Sequence, residues 1–187
     1  MKEIVFFLEE RSARELIAGI IQRLAPDTTR RLRFIVFEGK QDLEKHLLAK
    51  LRGYLGTDAR FIVMRDQDQE DCKEIKKRLL NYCKGAKRKA TVRIACRTIE
   101  AFYLADLAAV EDSFRISGLA RKHQEKARFR FPDSIQQPAV ELERLTKGTY
   151  QKVSGSRLIS VHLDLENTRS SSFSHLVTSI RSALDLD

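Results

Sequence analysis

Residues 61–68 read FIVMRDQD, an apolar run that ends abruptly at two aspartates, Asp66 and Asp68. The apolar part predicts a buried β-strand. Successive strand residues point to opposite faces, so residues two apart point the same way. If the extended backbone continues to Asp68, both carboxylates leave the carboxyl end of the strand side by side, at the edge where open α/β sheets bind ligands. The alternative is a solvated turn that caps the next helix.

A second acidic turn lies near the amino terminus. Residues 4–8 (IVFFL) form another apolar run, which ends at Glu9 and Glu10. The sequence SARE at 12–15 is a capping box, which predicts that a helix starts there. If the two strands are neighbours, one glutamate and the two aspartates form a three-carboxylate cluster. Such a cluster favours Mg²⁺ or Mn²⁺, because hard cations prefer oxygen ligands and relieve the repulsion between carboxylates.

The first 110 residues alternate between strand and helix patterns, which predicts an α/β fold with a mostly parallel sheet flanked by helices. Strands are expected at about 3–8, 32–37, 60–65 and 91–96, and helices at about 13–24, 43–51, 72–83 and 98–107. A helical C-terminal part is expected over 111–187, with an exposed connection at 121–138 and helices at 138–145, 150–162 and 173–184. The whole chain, 1–187, is expected to be one domain with its core in 1–110.

The chain is strongly basic, with 35 Lys and Arg against 26 Asp and Glu and a formal charge of +9. This balance favours a polyanionic partner, DNA or RNA. Ten basic residues and one acid lie between residues 73 and 97, and six more basic residues lie between 115 and 131. Phe129 and Phe131 are interleaved with the second group as candidate stacking surfaces. The alternative is that these basic helix faces are simply solvated.

Several classes of protein are disfavoured. No apolar run approaches the roughly 20 residues of a membrane span, and the amino terminus does not resemble a secretory signal. Three scattered cysteines, Cys72, Cys83 and Cys96, suit a reducing compartment. These features predict a cytoplasmic protein with no membrane partner. The chain also has no phosphate-binding glycine loop, no dinucleotide motif and no zinc spacing among its histidines.

Five segments resemble a known family. They are residues 8–13 (LEERSA), 64–72 (MRDQDQEDC), 93–106 (RIACRTIEAFYLAD), 150–153 (YQKV) and 169–173 (RSSSF). Together they are similar to a bacterial family of Toprim-like proteins, domain of unknown function 4276, related to the Toprim domains of overcoming-lysogenization-type nucleases. The resemblance implies a Toprim-like fold, an Mg²⁺-dependent nuclease activity and a partner ATPase of the ABC or AAA type in anti-phage defence. One departure is that Toprim domains usually carry Glu-Gly where this chain has Glu9-Glu10.

The resemblance also assigns residues to the site. The candidate catalytic residues are Glu9, Asp66, Asp68, Glu100 and Lys152, of which the first three are the candidate metal ligands. Glu10 is expected to face away, because adjacent strand residues point in opposite directions. Simpler roles exist for several of these residues. Glu9 could act as a helix-dipole partner, Glu100 as a cap or an arginine partner, and Lys152 as a surface lysine.

Three functions of different classes stay open on the sequence. The first is a metal-dependent nuclease, and the second is a non-catalytic module with a vestigial site that binds nucleic acid or an ATPase. The third is a phosphohydrolase or phosphoacceptor that uses Asp66. It is disfavoured because phosphatases of the Asp-x-Asp type place that motif after their first strand, not their third. A homodimer is one option for the assembly.

Overall fold

The structure is a computed structural model that describes residues 2–56 and 58–186. Four parallel strands form one sheet in the order β2-β1-β3-β4. They are β1 (Glu3–Leu8), β2 (Arg31–Val36), β3 (Ala59–Asp66) and β4 (Ala90–Ala95). The predicted α/β fold with a parallel sheet is confirmed.

Helices connect the strands and form most of the chain after β4. They are α1 (Arg11–Leu24), α2 (Lys40–Arg52), α3 (Cys72–Gly85), α4 (Glu100–Ala105), α5 (Leu107–Phe114), α6 (Leu119–His123), α7 (Pro138–Leu145), α8 (Lys152–Ser160) and α9 (Ser171–Leu184). Short 3-10 turns lie at Ala127–Phe129 and Pro132–Ser134. The predicted helical C-terminal part is therefore confirmed. None of the helices within residues 2–56 and 58–186 is long and apolar enough to cross a membrane.

Both faces of the sheet are covered by helices. Ile4 and Phe6 of β1 pack into the core formed with α1, α8, α9 and other helices of the C-terminal part. Val5 and Phe7 point the opposite way, into a second core formed with α2 and α3. A strand buried on both faces needs apolar residues at successive positions, which explains the continuous apolar runs in the sequence.

The order of the strands creates a crevice at the carboxyl edge of β1 and β3. α1 connects β1 to β2 on one face of the sheet, whereas α3 connects β3 to β4 on the other face. The connections leaving β1 and β3 therefore diverge at this point. In open α/β sheets, ligands bind at such a topological switch point. The two acidic turns of the sequence both lie there.

The predicted capping box at residues 12–15 is wrong. The helix begins two residues earlier than predicted, at Arg11, and the Ser12 hydroxyl donates a hydrogen bond to the carboxylate of Glu10 instead of capping the helix. Glu15 is drawn away by Arg157 of α8, whose Nε donates to it at 2.6 Å. A charged partner brought close by the tertiary fold here displaces a local hydrogen-bond pattern.

The connection expected at 121–138 is more ordered and more buried than the sequence suggested. It includes the end of α6 and both 3-10 turns. Phe129 is 1% exposed and belongs to the core, so the expectation that it offers a stacking surface is wrong. Phe131 is 71% exposed. The alternation of basic and aromatic residues came from a turn that buries one ring and leaves the other in solvent.

Candidate acidic site at the carboxyl edge of the sheet

The acidic site lies where the two central strands end. β1 and β3 are in register, with Leu8 opposite Met64. Two residues beyond Met64, Asp66 ends β3, and Glu9 and Glu10 form the bend that follows β1 at the same edge of the sheet. β4 ends alongside, because Asp66 is paired with Ala95. The chain that leaves β4 for α4 therefore also reaches this edge.

Asp66 is a buried carboxylate that lacks a hydrogen-bond donor. The residue is 6% exposed, and its side chain accepts no hydrogen bond from the residues of the described ranges. Burial raises the pKa of Asp66 well above its ordinary value of 3.8, and the negative charges of Glu100, Glu9 and Glu10 raise it further, whereas Lys152 lowers it. A carboxylate in this environment is stabilised by any additional cation, because a positive charge offsets both the desolvation and the repulsion.

Glu9 is anchored against the backbone of β3. Its Oε2 accepts a hydrogen bond from the backbone N–H of Asp66 at 3.0 Å and lies 3.8 Å from the Nε of Arg65. Burial raises the pKa of Glu9, and the hydrogen bond from Asp66 only partly offsets this effect. The structure therefore brings Glu9 and Asp66 together, with the carboxylate of Glu9 held by the same strand that carries Asp66.

Glu10 also lies close enough to Asp66 for its charge to raise the pKa of Asp66, although the sequence predicted that Glu10 faces away from the site. Its Oε2 accepts a hydrogen bond from the Nζ of Lys152 at 2.6 Å. This ion pair brings the start of α8 to the carboxyl edge. Burial opposes the charge of Lys152, but the hydrogen bond to Glu10 and the surrounding carboxylates raise the pKa of its ammonium group overall. Lys152 is therefore a stable cation beside the acids.

Glu100 supplies a fully buried carboxylate at the start of α4. The residue is 0% exposed, and the hydroxyl of Tyr150 donates to its Oε1 at 2.9 Å. Its Oε2 is buried without a hydrogen-bond partner among the described residues. Burial raises the pKa of Tyr103 and of Tyr150, so both hydroxyl groups remain protonated. Unpaired buried polar atoms are rare, and this oxygen near Asp66 points to a further polar or ionic group at the site.

Asp68 does not lie side by side with Asp66. The backbone at Asp68 has φ of 55°, so the extended conformation ends before this residue. The Nζ of Lys40, the first residue of α2, donates to Oδ2 of Asp68 at 2.8 Å. The turn is fixed from the other side by the backbone N–H of Asp68, which donates to the carbonyl of Arg97 at 2.8 Å. Asp68 therefore faces the start of α2. Its negative charge still affects the site, because it helps to raise the pKa of Glu9.

An ion-pair network on the opposite face of β3 was not predicted from the sequence. The side chain of Arg65 is fully buried and pairs with Glu44 of α2 and with Glu70. Arg78 of α3 donates to Glu44 at 2.9 Å and to Glu70 at 2.7 Å. Hydrogen bonds from Arg65 and Arg78 lower the pKa of Glu70 to about 2. The available signal was an arginine inside an apolar strand, since a buried charge must find partners.

The acids fit a divalent cation by their chemistry, because carboxylate oxygens are the ligands that Mg²⁺ and Mn²⁺ prefer. The unpaired oxygen of Glu100 and the uncompensated charge of Asp66 support this fit. However, no three His, Cys, Asp or Glu side chains within residues 2–56 and 58–186 are arranged so that they could hold a metal ion. Two lysines engage the neighbouring acids, since Lys152 binds Glu10 and Lys40 binds Asp68. A cation at Asp66 would therefore compete with these ion pairs.

Fold and site define an α/β protein with a four-stranded parallel sheet and a cluster of acids at the carboxyl edge of its central strands. The chain belongs to the family described as domain of unknown function (DUF4276), whose model matches residues 8–181. The match runs from the last residue of β1 into α9 and includes both acidic turns, Glu100 and Lys152. Comparison with curated proteins gave no match, and comparison with solved structures gave none either.

Proposed function

We propose that this protein is an Mg²⁺- or Mn²⁺-dependent nuclease of Toprim type, in which Asp66 is the central metal ligand. The observation that carries the proposal is the carboxylate of Asp66, which is buried at the switch point of the sheet and surrounded by three glutamates. The negative charge of each glutamate disfavours the ionised form of Asp66, and a divalent cation bound there would favour it again. Phosphodiester hydrolysis would use both the acidic site and the basic surface, because the metal would act on the phosphodiester while the basic residues bind the nucleic acid.

Each residue of the cluster has a distinct role in this proposal. Asp66 would hold the ion together with Glu9 and Glu10, and Asp68 would support the site from the position where Lys40 binds it. When bound, the ion would supply activation of water and stabilisation of the leaving oxygen. Lys152, with its side chain 48% exposed, would exchange Glu10 for a phosphate oxygen of the substrate. After this exchange, the carboxylate of Glu10 would be available to the metal, and the ammonium group of Lys152 would contact the substrate.

The first test is a metal titration followed by thermal unfolding. Mg²⁺ or Mn²⁺ at millimolar concentration should raise the melting temperature of the wild-type protein, because a ligand that binds only the folded state stabilises it. The variant Asp66→Asn should lose this shift. Asp112→Asn, at an exposed position of α5, is the matched control and should keep it. An equal shift in Asp66→Asn would place the ion elsewhere and remove Asp66 from the proposal.

Of the two basic segments, residues 73–97 are proposed to bind nucleic acid, and the structure separates them from residues 115–131. α3 packs on the face of the sheet that carries Val5, whereas Leu119 and Phe129 pack on the opposite face. Several arginines of the first segment are bound within the protein, as when Arg88 donates to the carbonyl of Tyr54 at 2.6 Å. The exposed cations of α3 that remain include Lys73, Lys76 and Lys77. α3 starts just beyond the Asp66 turn, so a strand bound along it would pass the acidic site.

Charge reversal of Lys73, Lys76 and Lys77 to glutamate should weaken binding of DNA or RNA by about tenfold or more and reduce the salt slope by about 2–3, since each lost phosphate contact releases fewer counterions. The measurement is fluorescence anisotropy over a salt series. The control reverses Arg121, Lys122 and Lys126, which changes the net charge equally on the other face. If the two triple variants weaken binding to the same extent, only net charge matters and the α3 surface is not the binding site.

One observation favours a second function, that of a binding module with a vestigial site. The acids near Asp66 are not arranged to hold a metal within the described residues, and Lys152 already neutralises Glu10. In that case the partners would be nucleic acid or an ATPase of the ABC or AAA type, and catalysis would be absent. The metal titration separates the two functions, because a vestigial site has no reason to prefer Asp66 over Asp112.

A further inference from the structure

A cavity of about 610 Å³ lies at the opposite end of the sheet from Asp66. It opens between the amino-terminal halves of β3 and β4 and the C-terminal half of α9. Three basic side chains line it, those of Arg60, Lys89 and Arg93, together with hydroxyl groups that include those of Thr91 and Ser179. Its volume lies within the range of about 300–1,000 Å³ that is usual for small-molecule sites.

Arg93 is a partly buried cation without an acidic partner. Its Nε donates to the carbonyl of His175 at 3.0 Å and to the hydroxyl of Ser179 at 2.6 Å, which fixes the side chain under α9. It forms no salt bridge with any residue of the described ranges. Burial lowers the pKa of Arg93, in line with the absence of an acid beside it. Charges that are partly removed from water are normally paired, so this guanidinium is a candidate partner for a bound anion.

The other charges of the cavity leave a net positive potential. Arg60 pairs with Asp185 at 2.5 Å and donates to the carbonyl of Ser182 at 2.6 Å, so the acid in the lining is already neutralised. Lys89 is exposed and forms no salt bridge within residues 2–56 and 58–186. Lys89 and Arg93 are therefore the two cations that remain available to a ligand.

We propose that this cavity binds a phosphate-bearing small molecule of nucleotide size, with Arg93 and Lys89 contacting its phosphate. Arginine and lysine beside hydroxyl groups are a typical phosphate-binding set, because they donate charge-assisted hydrogen bonds. The apolar part of the lining, which includes Ile62 and Ala183, suits an organic group attached to the phosphate. A bare phosphate would occupy only part of the volume.

The site is separate from the acidic cluster and goes beyond the proposed nuclease function. Six residues of β3 separate Arg60 from Asp66, which at about 3.3 Å per residue corresponds to about 20 Å. A ligand in the cavity would contact β3, β4 and α9 without reaching the acids. Its role is that of a bound effector and not of a reacting group.

Isothermal titration with AMP, ATP and inorganic phosphate at constant ionic strength tests the proposal. The wild-type protein should bind AMP or ATP saturably at one site and inorganic phosphate more weakly. Arg93→Gln and Lys89→Gln should each weaken nucleotide binding by about tenfold or more, the usual effect of losing charge-assisted hydrogen bonds.

Lys45→Gln is the matched control, because this exposed lysine belongs to α2 on the other face of the sheet. It should leave nucleotide binding unchanged. The proposal is overturned if neither AMP nor ATP binds, or if Lys45→Gln weakens binding as much as Lys89→Gln does. Lys89 is exposed and its replacement should not disturb folding, so the result stands even if Arg93→Gln is unstable.

Discussion

If the protein is the proposed nuclease, replacing Asp66 with asparagine is expected to reduce Mg²⁺-dependent cleavage of DNA or RNA by about 100-fold or more, because the central ligand of the metal would be lost. Asparagine has nearly the same size as aspartate and opens no cavity. Binding of nucleic acid should persist, since the lysines of α3 are unchanged. The measurement is single-turnover cleavage of labelled DNA and RNA in Mg²⁺ and in Mn²⁺.

The same substitution should raise the stability of the metal-free protein at neutral pH, by about 1–3 kcal/mol, the usual cost of a buried group without partners. The sign follows from the raised pKa of Asp66, whose folded form holds its proton more tightly than the unfolded chain. Stability from this group is fully present below pH 3.8 and is lost as the pH rises through the folded pKa. Asp66→Asn removes that loss, which urea unfolding at pH 7 without metal would detect.

The cleavage assay needs two controls. Asp112→Asn should cleave as the wild type does, and every variant should be assayed alone and with a candidate ATPase of the ABC or AAA type, because the proposed function includes such a partner. If the complex cleaves neither DNA nor RNA, or if Asp66→Asn cleaves as well as the wild type, the nuclease function fails and the binding module takes its place. A gain in stability without any loss of cleavage would mean that the buried charge has no catalytic role.

Replacing Arg65 with methionine is expected to destabilise the protein by about 3 kcal/mol. Its side chain is fully buried and pairs with Glu44 and Glu70. Methionine fills much of the volume but leaves the two carboxylates with Arg78 as their remaining arginine partner. Removing one member of a buried ion pair is strongly destabilising, because the other charges stay in a poorly hydrated environment.

Arg78→Met is the matched control for this prediction. Arg78 binds the same two glutamates, but its side chain is 36% exposed. Water can replace a large part of its contacts, so the loss should be about 1 kcal/mol. Urea unfolding of the wild type and both variants provides the comparison. Equal losses in Arg65→Met and Arg78→Met would show that the burial of Arg65 adds nothing to its effect on stability. A double-mutant cycle with Glu44→Gln tests the coupling of Arg65 and Glu44. The double variant should lose less stability than the sum of the losses of Arg65→Met and Glu44→Gln.

The strands and the faces of the sheet were predictable from the sequence. Apolar runs such as residues 4–8 and 61–64 form buried strands wherever both faces are covered, and their alternation with helical patterns leads to a parallel sheet. The Ser170 cap of α9 was also predictable, because its hydroxyl oxygen accepts from the backbone N–H of Phe173 within the same turn. These features depend on interactions between residues close in the chain or on simple periodicity.

The details of the site depended on residues far apart in the chain. The sequence placed Asp66 and Asp68 side by side, but Lys40 and the carbonyl of Arg97 hold the turn in another conformation. It favoured Glu9 over Glu10, but the charge of Glu10 also acts on Asp66, and Lys152 binds Glu10 across 142 residues. No local pattern encodes which lysine meets which acid.

That two acidic turns follow two buried strands can be derived from the chain one segment at a time, because apolar composition and periodicity are properties of each segment. The packing of the fold made β1 and β3 neighbours, brought Glu100 and Tyr150 to the site from the C-terminal part, and gave Arg65 its acidic partners on the opposite face. Charges interact over distances and directions that are set by the packing of whole elements. Their energies depend on burial, which no single segment fixes.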